Sequence, residues 1–279
     1  MDFGIAFVPG SATGFVSVDQ HRLEYRTIGE PGRGRPTLVF LHEGLGCVAL
    51  WRAFPDRVCA ATGLPGLVYS RAGHGQSDVL DAPRRPRFMH DEAQRVLPEL
   101  LERRGIDDAI LVGHSDGASI ALIRAGQRPR GLRAVVAIAP HLFVERLTIA
   151  SIAGIAAGFD AGDLPRRMAK YHRDPRATFH GWADVWLDPA FRDWNIEADV
   201  ARIACPVLAL QGTRDEYGTM EQVRRVEQLS PHARWVGIDD AGHAPFADQP
   251  ERVLAEIVQF VPPLAAADSN TTGPPSPAG

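Results

Sequence analysis

The sequence predicts an α/β fold, a mostly parallel sheet flanked by helices, and three observations predict it. Short β-branched apolar runs recur along the chain, amphipathic stretches with helical spacing separate them, and the alternation breaks once, between about residues 143 and 204. Residues 15–18 and 23–28 alternate polar and apolar as an opening antiparallel hairpin. Residues 37–42, 67–71, 109–113 and 134–139 are continuous apolar runs, as strands buried on both faces require, and residues 207–211 and 235–239 complete a set of eight strands. Met89, Ala93, Val96, Leu97, Leu100 and Leu101 give residues 88–103 a helical period; residues 220–229 and 251–261 read the same way. The interrupting stretch holds Trp182, Trp186 and Trp194 with Asp-Pro turns and no strong strand, and is expected to be a helical cap over the C-terminal edge of the sheet.

The expected organisation is therefore a core of residues 1–142 and 205–262, a cap of residues 143–204, and a tail of residues 263–279 whose composition, ending Thr-Gly-Pro-Pro-Ser-Pro-Ala-Gly, predicts disorder. The chain has 279 residues, 45% hydrophobic and 23% charged, enough for one large core. A formal charge of -4 without a dense Lys/Arg block argues against nucleic acid as a partner. No run approaches the roughly 18 apolar residues of a membrane span, and residues 1–15 lack the pattern of a secretory signal. Cys47, Cys59 and Cys205 are odd in number and widely spaced, which fits reduced thiols and a cytoplasmic location.

Gly113-His114-Ser115-Asp116-Gly117 directly follows the strand at residues 109–112 and opens the apolar run at 118–123. A strand, a G-x-S-x-G turn and a helix form the arrangement that lifts a serine hydroxyl above the edge of a sheet, with small residues on either side so that strand and helix can approach. A serine hydroxyl is a weak nucleophile until an imidazole takes its proton, and the imidazole needs a carboxylate to fix its tautomer. Asp215 and His243 follow in that order, each just after a predicted strand, so Ser115 is the candidate nucleophile, His243 its base and Asp215 the orienting acid. The amide of Asp116 and that of Gly44, in the loop after the first parallel strand, are expected to form an oxyanion hole. His114, Trp182 and Trp186 are candidate substrate contacts. Phe179, Phe191 and Trp194 are read first as cap packing and second as aromatic pocket walls, and Arg166, Arg167, Lys170, His172 and Arg173 first as a solvated basic face and second as a contact for an anionic group such as a carboxylate or a coenzyme A phosphate.

At these residues the sequence resembles the α/β-hydrolase superfamily over residues 15–261. Tyr69-Ser70-Arg71-Ala72-Gly73-His74-Gly75-Gln76-Ser77 is similar to that family's D-R-x-G-x-G-x-S loop, with Ser70 in place of Asp. The resemblance implies the α/β-hydrolase fold, an eight-stranded mostly parallel sheet with a helical cap inserted after strand six, and hydrolysis with no metal or organic cofactor. The family's His-Gly loop reads His42-Glu43-Gly44 here, and a carboxylate at that point is expected to face away from the hole or to pair with a cation such as Arg71.

The expected activity is that of a carboxylesterase-like serine hydrolase acting on a small carboxylic ester or thioester. A carbon-carbon bond hydrolase, a lactonase and a non-catalytic small-molecule receptor share the same scaffold. Gly44-Leu45-Gly46-Cys47-Val48-Ala49 formally fits a dinucleotide turn, but His42 and Glu43 intrude and the ribose-binding acid is absent. His42-Glu43 also lacks the second histidine of a helical zinc site.

Overall fold

The computed structural model describes residues 11–30 and 35–266, with side chains through 261. Eight strands form one sheet: β1 (Thr13–Val18), β2 (His21–Ile28), β3 (Thr37–Leu41), β4 (Gly66–Tyr69), β5 (Ala109–His114), β6 (Leu132–Ile138), β7 (Val207–Gly212) and β8 (Ala233–Ile238). Their order is β1-β2-β4-β3-β5-β6-β7-β8. β2 runs antiparallel to β1 and β4, while every other pairing is parallel. The predicted hairpin and six parallel strands are all present, with ends displaced by one or two residues.

The pleat sorts the strand residues into two cores. Val39, Leu41, Leu111, Val135, Ala137, Val207 and Ala209 face one side and pack on the helix Asp116–Gly126 and the helical run from Phe88 to Arg103. Leu38, Phe40, Ile110, Val112, Val136, Leu208 and Leu210 face the other and meet Val58 of Phe54–Thr62 and Val253, Ile257 and Val261 of Pro250–Ala266. Burial on both faces is why these strands read as uninterrupted apolar runs.

Two helical segments depart from their expected form. The run from Phe88 to Arg103 holds a π turn at Glu92–Val96, where the Leu97 amide donates to the Glu92 carbonyl. Pro98 follows immediately and has no N–H to donate back to Gln94, so the α ladder is interrupted at this point in any case. The last helix, Pro250–Ala266, continues into the segment expected to be a tail. The rest of that tail, residues 267–279, lies outside the described residues, as do residues 1–10 of the expected core.

Between β6 and β7 the chain forms helices Arg146–Gly158, Leu164–Met168, Pro175–Leu187 and Glu197–Val200. Phe159 stacks on Phe179 with ring centroids 3.7 Å apart, and Phe191 stacks on Trp194 at 5.2 Å, so these aromatics tie the insertion together. No helix among the described residues is long and apolar enough to cross a membrane.

Candidate active site

Ser115 leaves β5 with φ 52° and ψ −120°, a left-handed conformation that a non-glycine residue adopts only under constraint. Its amide donates to the Ile138 carbonyl at 2.9 Å, and its own carbonyl accepts from Ala118 and Ser119 at 2.9 and 3.0 Å, anchoring the turn to β6 and to the new helix. The turn tolerates no extra atoms: a Cβ at Gly113 would strike the backbone of Gly117 and Ala118, and one at Gly117 the backbone of Leu41 and His42.

His243 lies beyond β8 and Asp215 beyond β7. His243 Nδ1–H donates to the Asp215 carboxylate at 2.8 and 2.9 Å. That carboxylate also accepts from Gln211 Nε2 (2.7 Å) and from the amides of Tyr217 (2.8 Å) and Gly218 (3.2 Å). Burial by itself pushes its pKa up, but the hydrogen bond and charge of His243 and the Tyr217 amide together hold it below the usual carboxylate range. With Nδ1 donating, a neutral His243 ring has Nε2 free as an acceptor.

Ser115 and His243 line one cavity of about 100 Å³, together with Gly44, Asp116, Trp182 and Trp186. The insertion supplies its roof through Thr148, Ile152 and the two tryptophans. Trp186 Nε1 donates to Asp116 Oδ1 at 3.2 Å, which links cap and nucleophile helix directly. A Cβ at Gly44 would collide with the Trp182 indole, so the glycine lets the cap settle on the loop after β3. The same packing disposes of the dinucleotide reading, because the loop leads into a short 3-10 turn at Val48–Trp51 instead of a phosphate-binding helix. Among the described residues, the amides of Gly44 and Asp116 donate to no protein group.

The remaining expected contacts sort differently. His114 does not line the cavity; it stands behind it, with Nε2–H donating to the His243 carbonyl at 2.8 Å. Arg166, Arg167 and Lys170 are exposed, and Arg173 pairs with Asp78 at 3.1 Å, as a solvated face requires. His172 does not belong with them, being 3% exposed and inside the protein. Ser70, standing where the family loop has Asp, donates to Glu24 Oε2 at 2.7 Å, so β2 supplies the missing carboxylate.

Glu43 finds a neighbour other than Arg71. Arg71 spends its guanidinium on the backbone carbonyls of His42 and Glu43, so it does not cap the Glu43 carboxylate. Glu43 is among the residues at the cavity, and its carboxylate Oε2 lies 3.5 Å from Nδ1 of His114, behind it. Burial raises its pKa, yet the hydrogen-bonding and charge of His114 outweigh that and hold it low.

Three further histidines, of which sequence reasoning connected only His42 to the loop after β3, fix that loop. His42 Nδ1–H donates to the Glu43 carbonyl (2.7 Å), His74 Nε2–H to the Gly44 carbonyl (2.9 Å), and His172 Nε2–H to the Leu45 carbonyl (3.0 Å). The Gly75 amide donates to His172 Nδ1 at 2.9 Å. Burial lowers the pKa of all three, favouring neutral imidazoles, and in His42 and His172 the second nitrogen accepts a backbone amide, from Arg71 and Gly75. The family-like loop at residues 69–77 was the one signal pointing to Arg71 and His74; nothing local to residue 172 marks its partner 127 positions away.

Comparisons with known proteins agree with this architecture. A sequence model described as "Alpha/beta hydrolase family" matches residues 38–256. The chain is similar to a proline iminopeptidase of Levilactobacillus brevis, 24% identical over 88% of this chain and 94% of that protein. It is also similar to the sn-1-specific diacylglycerol lipase ABHD11 of Mus musculus, 22% identical over 81% of each chain. Among solved structures, VinJ superposes with a TM-score of 0.72 at 24% identity, covering 92% of this chain and all of that one. Matched across most of its length, from β3 into the last helix, the chain belongs to the alpha/beta hydrolase family.

Proposed function

We propose that the chain is a serine hydrolase that cleaves a small carboxylic ester or thioester through an acyl-enzyme on Ser115. The observation carrying this reading is the convergence on one cavity of a strained serine and an imidazole already oriented by a buried carboxylate. Ser115 Oγ attacks the acyl carbon while His243 Nε2 takes its proton, and Asp215 stabilises the resulting imidazolium. The tetrahedral oxyanion receives the amides of Gly44 and Asp116. Collapse breaks the bond to the leaving alkoxide or thiolate, which departs with the proton held by His243. Water then gives a proton to the same imidazole and attacks the acyl carbon, releasing the acid and restoring Ser115.

A cavity of about 100 Å³ with two indoles in its roof favours a short or compact acyl group. The cysteines offer no competing nucleophile: burial raises Cys47 and Cys59 to about 12 and Cys205 to about 11. The relatives named as a peptidase and a lipase are consistent with acyl transfer and leave the leaving group open. The test is labelling by a fluorophosphonate with peptide mapping, alongside turnover of short aryl esters and acyl thioesters. Wild type should label at Ser115, and Ser115→Ala should lose label and at least about 10³-fold in kcat with its thermal unfolding unchanged. Equal turnover by the two proteins rejects the mechanism.

A further inference from the structure

We propose that His141 is a specificity-determining residue of the acyl pocket, its imidazole N–H donating to a hydroxyl or ether oxygen carried by the substrate's acyl group. The inference rests on the hydrolase reading and adds to it a substrate class: compact oxygenated acyl groups in preference to plain alkyl ones.

His141 follows β6, and its backbone is fixed from two sides. Ala139 leaves the strand with φ 49°, a left-handed conformation taken without a glycine, and its amide donates to the Leu210 carbonyl at 2.7 Å. The hydroxyl of Ser119, four residues beyond Ser115, accepts from the His141 amide at 3.0 Å and donates to the His141 carbonyl at 2.7 Å. The nucleophile helix therefore sets the position of this residue as well as that of Ser115.

The ring held in this way is 2% exposed and lines the cavity with Ser115 and His243. Its centroid lies 5.8 Å from that of the His243 ring and 5.1 Å from that of Trp186. Among the described residues neither of its nitrogens has a hydrogen-bond partner, which is rare for a buried polar side chain and calls for a function. Nδ1 is enclosed by protein and Cε1 lies beside Gly218, so the ring edge left to meet the cavity carries Nε2.

Burial, reinforced by the charge of His243, lowers the pKa of His141 to about 3, so the ring meets substrate neutral, with one hydrogen to place. On Nδ1 that hydrogen would be an orphaned N–H inside the protein. On Nε2 it faces the cavity and leaves only a lone pair enclosed, the less costly of the two arrangements. The surrounding wall is mainly apolar, with Leu45, Ile152, Trp182 and Trp186. An alkyl acyl group packed there covers the Nε2–H and leaves it unpaired, whereas an acyl oxygen accepts from it.

The test has two signs. Aryl esters are compared in matched pairs, methoxyacetate against butanoate and β-hydroxybutanoate against isovalerate, in wild type, His141→Phe and His141→Gln. Each kcat/KM is divided by the ester's own rate of alkaline hydrolysis, so that the inductive effect of the oxygen cancels. In wild type the better oxygenated ester should exceed its hydrocarbon partner by about tenfold. His141→Phe, which keeps a ring without the N–H, should slow that ester and quicken the hydrocarbon one; His141→Gln, which can still donate, should keep part of the preference.

Hydrolysis of both members of each pair by wild type without preference overturns this inference and leaves the hydrolase reading standing. A preference that survives His141→Phe overturns it too, as does an equal loss on both members of a pair, which assigns the ring to packing. The wild-type pairs decide the matter even if a variant fails to fold, and an absence of both turnover and fluorophosphonate labelling defeats both readings.

Discussion

At the scale of single residues, the chemistry depends on which atoms can hold a proton. Asp215 fixes the His243 tautomer because its two oxygens already receive the Gln211 side chain and two backbone amides, leaving Nδ1 of the imidazole to meet the charge. Asp215→Asn would present an amide whose N–H₂ competes with the Nδ1 proton and favours the wrong tautomer. We expect kcat on an aryl ester to fall by about 10³- to 10⁴-fold with little change in KM. Because the Asp215 pKa is lowered, the carboxylate stays ionised throughout the range near pH 6–7 where an imidazole ordinarily titrates. Activity should therefore decline on acidification as a single-proton limb, followed as kcat/KM against pH; a limb of two protons in that range would contradict the assignment.

At the scale of elements, the cap and the core are joined at the functional loop. His172, in the turn after helix Leu164–Met168, accepts from the Gly75 amide and donates to the Leu45 carbonyl one residue past Gly44. Removing its ring leaves both backbone groups without a partner, at a cost of about 1–3 kcal/mol for each that stays buried. His172→Ala should lower the thermal midpoint. It should also reduce kcat more than it raises KM, because the loop's aim, not the pocket's volume, is disturbed; His172→Gln, which can donate and accept, should recover part of kcat. A loss confined to stability would assign His172 a packing role alone.

The whole molecule should respond to acid in a characteristic way. His42, His74, His141 and His172 are held neutral by burial, so their folded pKa values lie below that of a free imidazole. Below about pH 6.5 the unfolded chain therefore binds more protons than the folded one, and stability falls as pH falls. Each such histidine contributes a slope of up to about 1.4 kcal/mol per pH unit. Asp215, with a lowered pKa, adds a further loss only as pH drops through the carboxylate range. Asp116 and Glu92, raised by burial, act in the opposite sense there. Urea midpoints measured from pH 7.5 to 5.5 should decline steadily, with His141→Phe flattening the decline; a flat profile in the wild type would show that these rings are not held neutral.

The sequence by itself determined the sheet, because burial on both faces leaves continuous apolar runs and the pleat then assigns each residue a side. It also determined the strand-turn-helix at Ser115 and the chain order of Ser115, Asp215 and His243, since each sits at a strand end whose position follows from local pattern. Tertiary structure alone decided the direction of Glu43, the retreat of His114 behind the cavity and the capture of the loop after β3 by His74 and His172. Those outcomes depend on partners 30 and 127 residues away in the cases of Gly44 with His74 and Leu45 with His172. The physical reason is that a histidine or glutamate carries no local preference strong enough to fix its orientation. Its burial, protonation and hydrogen-bond partners come from the groups that packing brings against it, and those are not its neighbours in the chain.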